Sequence, residues 1–276
     1  TFFPKNKKNL PFTIEGTGMP LAQKHYELLG SAQVKSAILL AGLNTPGITQ
    51  VVEKKISRNH TENILANIKA DLTIKKKNKI NIISINGKKN LSSFNLEIPG
   101  DPSSAAPFIV LTLLTPKSKL QIKNINCNPT RIGFIKILKK MNANIKIKNI
   151  KKKSGEYVGD ILIKSSRLKP ISCPKSLVPS AIDEFPLLFI TASTIKGVTT
   201  FSGIDELRNK ESDRIKGIEK GLNQIGIKTK SSKSSLKIYG SPNVVKKKNS
   251  DYFNIFYNNE LIGSGSIKEI DKKNNN

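Results

Sequence analysis

The chain reads as an α/β protein assembled from repeated βαβαββ units. Three observations predict this. An order of helix, strand, helix, strand, strand returns three times along the sequence. The second helix of each set ends at a comparable point, at Ile68, Met141 and Ile225. Each first helix opens on small or acidic polar residues: Ser31-Ala32-Gln33, Asp101-Pro102-Ser103-Ser104 and Asp183-Glu184. Units this long cannot be solenoid turns and fit compact α/β layers packed about a shared axis.

The first thirty residues carry one short strand pattern, Leu10 to Gly16. Val34, Ala37, Ile38 and Ala41 have helical spacing, and Pro46-Gly47 ends that helix. Ile48 to Val52 alternates as a strand. Asn59 and Glu62 have the spacing of a capping box, opening a helix that carries Ile64, Leu65 and Ile68. Strands follow over Leu72–Ile74 and Ile80–Ile85, closed by the turn dipeptide Asn86-Gly87. The second set runs as a helix from Asp101 to Leu114, with Pro102 in its first turn, then a strand around Leu120–Ile122. Asn128-Pro129 caps the next helix, and strands follow at Ile145–Ile147 and Tyr157–Ile163, with Lys151 to Gly155 expected as a solvated loop. The third set has a helix from Asp183 to Thr194, a strand at Val198–Phe201, a helix opened by the Lys210 region, and strands at Ile227–Thr229 and Leu236–Tyr239. Beyond Gly240 the pattern weakens to a polar tail, within which 251–256 and 261–262 could pair as a hairpin.

Charge is the outlier in composition: 47 Lys and Arg against 20 Asp and Glu, a net charge of +27. A nucleic-acid partner is the first thought such a balance raises. The lysines are spread along the whole chain, however, Trp is absent and aromatic residues are 6%, so stacking platforms for single strands are scarce. A solvated basic surface is the better reading. Cys127 and Cys173 stand far apart, as do His25 and His60, so neither a disulfide framework nor a metal site is expected. A reducing compartment, the cytoplasm, is the default. The longest apolar run, Ala105 to Leu114, falls short of the roughly 20 residues of a membrane span.

The stretch Glu206-Leu-Arg-Asn-Lys-Glu-Ser-Asp-Arg214 interleaves cations with carboxylates directly before an apolar-periodic run. Read as a helix N-terminus, it places Lys210 and Arg214 on one face, four residues apart, where the helix dipole favours an anion such as phosphate. The alternative is an exposed ion-pair network of little energetic weight. Arg58, Arg131 and Arg214 stand near the starts of the three second helices. Arg131 is expected to be solvated. Asp183 lies beside Phe185-Pro-Leu-Leu188, where a lone buried carboxylate would be costly, so it needs a partner or a role.

Five segments, Gly30 to Ala37, Arg58 to Glu62, Pro99 to Ala105, Asp183 to Pro186 and Glu206 to Arg214, occur in the same order as in 3-phosphoshikimate 1-carboxyvinyltransferases, and the chain resembles that family from about Leu10 to Gly240. The resemblance implies a two-domain enolpyruvyl transferase-like architecture, present in part. Residues 1–98 would be the remainder of a first domain, 99–240 most of a second, and 241–276 a weakly structured polar tail.

It also implies transfer of the enolpyruvyl group of phosphoenolpyruvate to the 5-hydroxyl of shikimate 3-phosphate, releasing phosphate, without metal or cofactor. A cytoplasmic monomer with small-molecule partners is expected, with no nucleic acid and no membrane. By motif matching, Ser31, Ala32, Gln33 and Arg58 would hold shikimate 3-phosphate, with Gln33 also near phosphoenolpyruvate. Asp183 would act as base on the reacting hydroxyl and Lys210 would contact the same substrate. Arg214 would bind phosphoenolpyruvate, and Glu211 would protonate its methylene. The family's N-terminal Lys-Ser pair and arginines, and its C-terminal Asp-His-Arg segment, have no match here. The 276 residues are therefore expected to be an incomplete, inactive portion. The alternatives are a non-catalytic derivative that binds a ligand or partner, and a basic nucleic-acid-binding protein.

Overall fold

The computed structural model describes residues 13–28, 30–78 and 80–242, together with the backbone of Phe2–Phe3, Tyr252–Tyr257 and Glu260–Ser266. Two short strands, β1 (Phe2–Phe3) and β2 (Thr13–Ile14), pair antiparallel. The first unit follows as β3 (Lys24–Glu27), α1 (Ala32–Leu43), β4 (Gly47–Glu53), α2 (His60–Asn67), β5 (Leu72–Lys77) and β6 (Ile80–Gly87). Its sheet has the order β3-β4-β6-β5, with β3 parallel to β4 and the other pairs antiparallel.

The second unit is α3 (Pro102–Leu114), β7 (Lys119–Asn126), α4 (Gly133–Lys140), β8 (Asn144–Lys153) and β9 (Glu156–Lys164), with sheet order β7-β9-β8. The third is α5 (Phe185–Ser193), β10 (Gly197–Ser202), α6 (Arg214–Gln224), β11 (Lys228–Ser231) and β12 (Ser235–Gly240), with order β10-β12-β11. The leading strand of the unit survives as four residues in β3. In the later units it shrinks to single parallel bridges, Gly100 to Ile125 and Ser172 to Thr200. The same βαβαββ topology thus occurs three times. β13 (Tyr252–Tyr257) and β14 (Glu260–Ser266) form the antiparallel hairpin expected near the end, with Phe256 opposite Leu261; most of the remaining tail lies outside the described residues.

The repeat is also written in the helix ends. After α2, α4 and α6 the chain turns through left-handed Lys69 (φ 58°), Asn142 (φ 72°) and Gly226 (φ 84°). In each case the next amide returns to the helix: Ala70 N to Leu65 O at 2.9 Å, Ala143 N to Leu138 O at 3.0 Å and Ile227 N to Leu222 O at 2.9 Å. These are Schellman closures, which satisfy carbonyls that the helix leaves open and aim the chain at the following strand.

Buried apolar side chains form two clusters. The larger joins the helices of the second and third units over β7–β12, with Phe185, Phe189 and Phe201 at its centre. Their ring centroids are 5.0 to 5.7 Å apart in tilted and edge-on pairs, each adding about 0.5–1.5 kcal/mol beyond area burial. The smaller cluster, Leu39, Val51, Leu65, Ile83 and Ile85, belongs to the first unit.

Several expectations are corrected. β3 was not anticipated, because Lys-His-Tyr-Glu shows no apolar alternation; parallel pairing with β4 makes it a strand. Lys151–Lys153 are not loop but the end of β8, paired with Glu156–Val158 beyond a bulge. Asn59 makes no capping bond, and Glu62 turns inward to Lys35, so no capping box forms. Asn128 does not cap α4 directly; its side chain closes a turn on Thr130, and the helix begins at Gly133. α5 begins at Phe185, so Asp183 sits in the 3-10 turn Pro179–Glu184 before it. α6 begins only at Arg214, capped by Asp213. Lys210 lies in extended conformation beyond the 3-10 turn Asp205–Asn209, so Lys210 and Arg214 do not share a helix face.

Candidate active site

Ser31 caps α1 by accepting from Val34 N at 3.3 Å, which leaves the first turn open to an anion with Ser31 and Ala32 half-buried and Gln33 exposed. One turn deeper, Lys35 is fully buried. Its ammonium lies 3.1 Å from Glu53 Oε1 and 2.7 Å from Glu62 Oε1. Glu53 Oε1 also accepts from the Ser57 amide at 2.7 Å and its hydroxyl at 2.5 Å. This ionic triad ties α1, β4 and α2 together and fixes the backbone that carries Arg58.

Arg58 donates to Asp183 Oδ2, from 125 positions away in the chain. Lys210 Nζ lies 3.7 Å from Asp183 Oδ1 and 3.5 Å from Glu206. Burial pushes the Asp183 carboxyl up, but the Arg58 hydrogen bond and charge, with the charges of Lys210 and Arg131, outweigh it and hold it below its ordinary value. Asp183 is therefore an ionised carboxylate clasped by two cations from separate units.

A second chain of contacts lies beside the first. Arg131 donates to Asp101 Oδ1 at 2.6 Å and Ser103 Oγ at 2.7 Å, and Ser103 in turn donates to Glu184. Burial raises the Glu184 carboxyl, against the Ser103 bond and the Arg131 charge. The Arg131 side chain is only 13% exposed, so the expectation that it is solvated is wrong. The Asp101 and Ser103 bonds offset part of the cost of taking this cation from water, although its Nε is buried without a hydrogen-bond partner. Asp101 also caps α3 through Ser103 N and Ser104 N. The starts of α3 and α5 meet directly through Ser103 and Glu184.

Of the residues expected at the site, Arg58, Asp183 and Lys210 come together. Among the described residues no hydrogen bond or ion pair joins Ser31, Ala32 or Gln33 to them. Glu211 and Arg214 pair with each other at 2.7 Å, and the Glu211 side chain is 82% exposed. Arg214's hydrogen bond and charge hold Glu211 below the usual carboxylate range. Sequence reasoning missed Glu184, Ser103 and Arg131 as a connected set. The signal for Arg131 was its place just before a second helix, the place Arg58 also holds. Among the described residues no group of three or more His, Cys, Asp or Glu could hold a metal, and no helix is long and apolar enough to cross a membrane.

The fold is like that of the enolpyruvyl transferase NikO from Streptomyces tendae (TM-score 0.55, 15% identity, 73% of this chain and 44% of that one). The repeated βαβαββ units are the fold the two proteins share. An EPSP synthase from Acinetobacter baumannii superposes with TM-score 0.74 at 40% identity, over 84% of this chain and 51% of that one. The family model for EPSP synthase (3-phosphoshikimate 1-carboxyvinyltransferase) matches residues 3–250, and the chain belongs to that family. Curated relatives of that name include those of Zymomonas mobilis, 46% identical over 233 residues, and Sphingopyxis alaskensis, 42% identical over 238. The matches span 84% and 86% of this chain but 51% and 53% of those relatives, about half their length.

Proposed function

We propose that the chain supplies part of the active site of an enzyme that transfers the enolpyruvyl group of phosphoenolpyruvate to the 5-hydroxyl of shikimate 3-phosphate. Family membership supports this reading. So does one observation of the structure: Asp183 is held between Arg58 and Lys210, which arrive from distant parts of the chain. Both substrates are anionic, and proton transfer at the hydroxyl and the methylene calls for carboxylates among the cations. In this reading Ser31, Ala32, Gln33 and Arg58 hold shikimate 3-phosphate, Lys210 contacts it, and Asp183 takes the proton of the reacting hydroxyl. Arg214 binds phosphoenolpyruvate, with Gln33 nearby, and Glu211 protonates its methylene carbon. The hydroxyl oxygen bonds to C2 as C3 gains that proton, and the resulting ketal loses phosphate together with a proton from C3, which restores the C2=C3 double bond.

The ion pairs give the mechanism a direction. A carboxylate saturated by Arg58 is a weak base. A phosphate that draws Arg58 away removes the largest influence holding Asp183 down, and its basicity rises as substrate binds. Phosphoenolpyruvate competing for Arg214 does the same for Glu211, bringing it nearer the protonated form that a donor requires. Residues 1–98 are the remainder of one domain, whose described part rests on the smaller apolar cluster, and 99–240 are most of a second, which holds the larger. The protein works as a cytoplasmic monomer on small molecules, consistent with two free, buried thiols.

Calorimetric titration of the 276-residue chain with shikimate 3-phosphate tests the first assignment. Binding that weakens at least tenfold in Arg58→Ala supports it; absence of binding, or indifference to that change, overturns it. For the reaction, phosphate release on mixing both substrates with the whole protein is expected, and is expected to vanish in Asp183→Ala.

A further inference from the structure

Glu156 has no part in the roles above, yet it is the most heavily bonded carboxylate between the first two units. It opens β9 and is 6% exposed. Oε1 accepts from His60 Nδ1 at 2.7 Å and Asn63 Nδ2 at 2.9 Å, both on α2. Oε2 accepts from Asn126 Nδ2 and Asn128 Nδ2, each at 3.1 Å, at and just beyond the end of β7. Asn128 Nδ2 also donates to Asn59 Oδ1 at 2.8 Å, and the Asn128 carbonyl accepts from the Arg131 amide at 2.8 Å. Asn59 and His60 directly follow Arg58. The two arginines whose charges act on Asp183 therefore leave one carboxylate in two directions.

We propose that Glu156 is a positioning residue. It ties the start of α2 to the turn before α4, and so sets Arg58 and Arg131 against Asp183 and Glu184 from two sides. The close approach is built in. A Cβ at Gly155 would lie 2.8 Å from the Asn63 carbonyl oxygen, so only glycine lets this turn rest on α2. Charge is required as well as shape. Toward the carboxylate all four partners donate, so a side chain that turns an N–H toward Asn126 and Asn128 leaves both unmet, and one that turns it toward His60 and Asn63 leaves Asn63 unmet even if the imidazole changes tautomer. The exposed pair Lys153–Glu97, at 2.6 Å, bridges the same two units and is not essential to this arrangement.

As a statement about catalysis this rests on the transferase reading, but its test uses no substrate and stands if that reading fails. Amide hydrogen exchange and the Arg58 side-chain N–H resonance are followed in the 276-residue chain, in Glu156→Gln and in Lys153→Ala. In Glu156→Gln, exchange over residues 59–63 and 128–131 is expected to quicken at least tenfold and the Arg58 resonance to shift. Helices 185–193 and 214–224 keep their protection, and Lys153→Ala leaves all of these signals in place. An unmoved Arg58 resonance, or protection lost evenly along the chain, overturns the proposal. If Glu156→Gln fails to fold, Asn63→Ala removes one donor and is held to the same two readings.

Discussion

Replacing Lys35 by Met should loosen the first unit from within while the second and third stay folded. The side chains of Lys35, Glu53 and Glu62 are 1%, 1% and 4% exposed, and the ammonium is the cation between the two carboxylates. Without it two anions stay buried near each other. Breaking a buried pair by removing one partner costs about 3–5 kcal/mol, because the remaining charge has neither water nor counter-ion. Opposing that is a small core. Its five buried apolar side chains contribute about 1.5–3 kcal/mol each before conformational entropy is charged against them. The loss is thus a large share of what the unit holds. Hydrogen exchange by mass spectrometry reads it locally. Amides of helices 32–43 and 60–67 should lose about two to three and a half powers of ten in protection, up to the unit's own stability, while 102–114 and 185–193 stay protected. Adding Glu62→Gln should recover part of the loss by removing one of the two uncompensated charges. Wild-type protection of residues 32–67 in Lys35→Met would refute the reasoning that the triad is a buried, closed charge set.

Three more outcomes are expected. Burial pushes the Glu156 carboxyl up, but His60, Asn63 and Asn128 hold it at about 2. Its contribution, of order 3 kcal/mol, is therefore full above the unfolded value near 4.5 and lost as pH falls from there toward 2. Protection factors at residues 59–63, taken relative to the acid-slowed intrinsic exchange, should fall across that window, and a flat profile would contradict the assignment. Gly240→Ala places a Cβ 2.2 Å from the carbonyl oxygens of Ala192 and Ile195, so a loss of about 1–3 kcal/mol is expected in urea melts, where an unchanged midpoint would contradict the packing. In the unmodified chain, amides of residues 32–98 should exchange faster than those of 102–240, since the first unit rests on the smaller apolar cluster; uniform protection would count against that.

The sequence by itself determined the local geometry that repeats. The apolar spacing up to Met141 and up to Ile225 already marks each helix, its end and the strand beyond. Those features depend on neighbours within one turn, and hydrophobic period and turn chemistry record them. The motif residues Arg58, Asp183 and Lys210 were legible through resemblance, since each stands in a short segment that matches the family. Only the tertiary structure decided what depends on partners far along the chain. β3 is a strand because β4 lies beside it, and Lys151–Lys153 is a strand because β9 does. Arg131 is mostly withdrawn from water because Asp101 and Ser103 receive it, and Glu62 faces inward because Lys35 awaits it. The charged run from Glu206 to Arg214 looks helical by spacing, yet Lys210 leaves helical geometry and sits between Asp183 and Glu206. Periodicity records which face of an element is apolar, whereas the place of a charge is set by the counter-charge that folding brings to it.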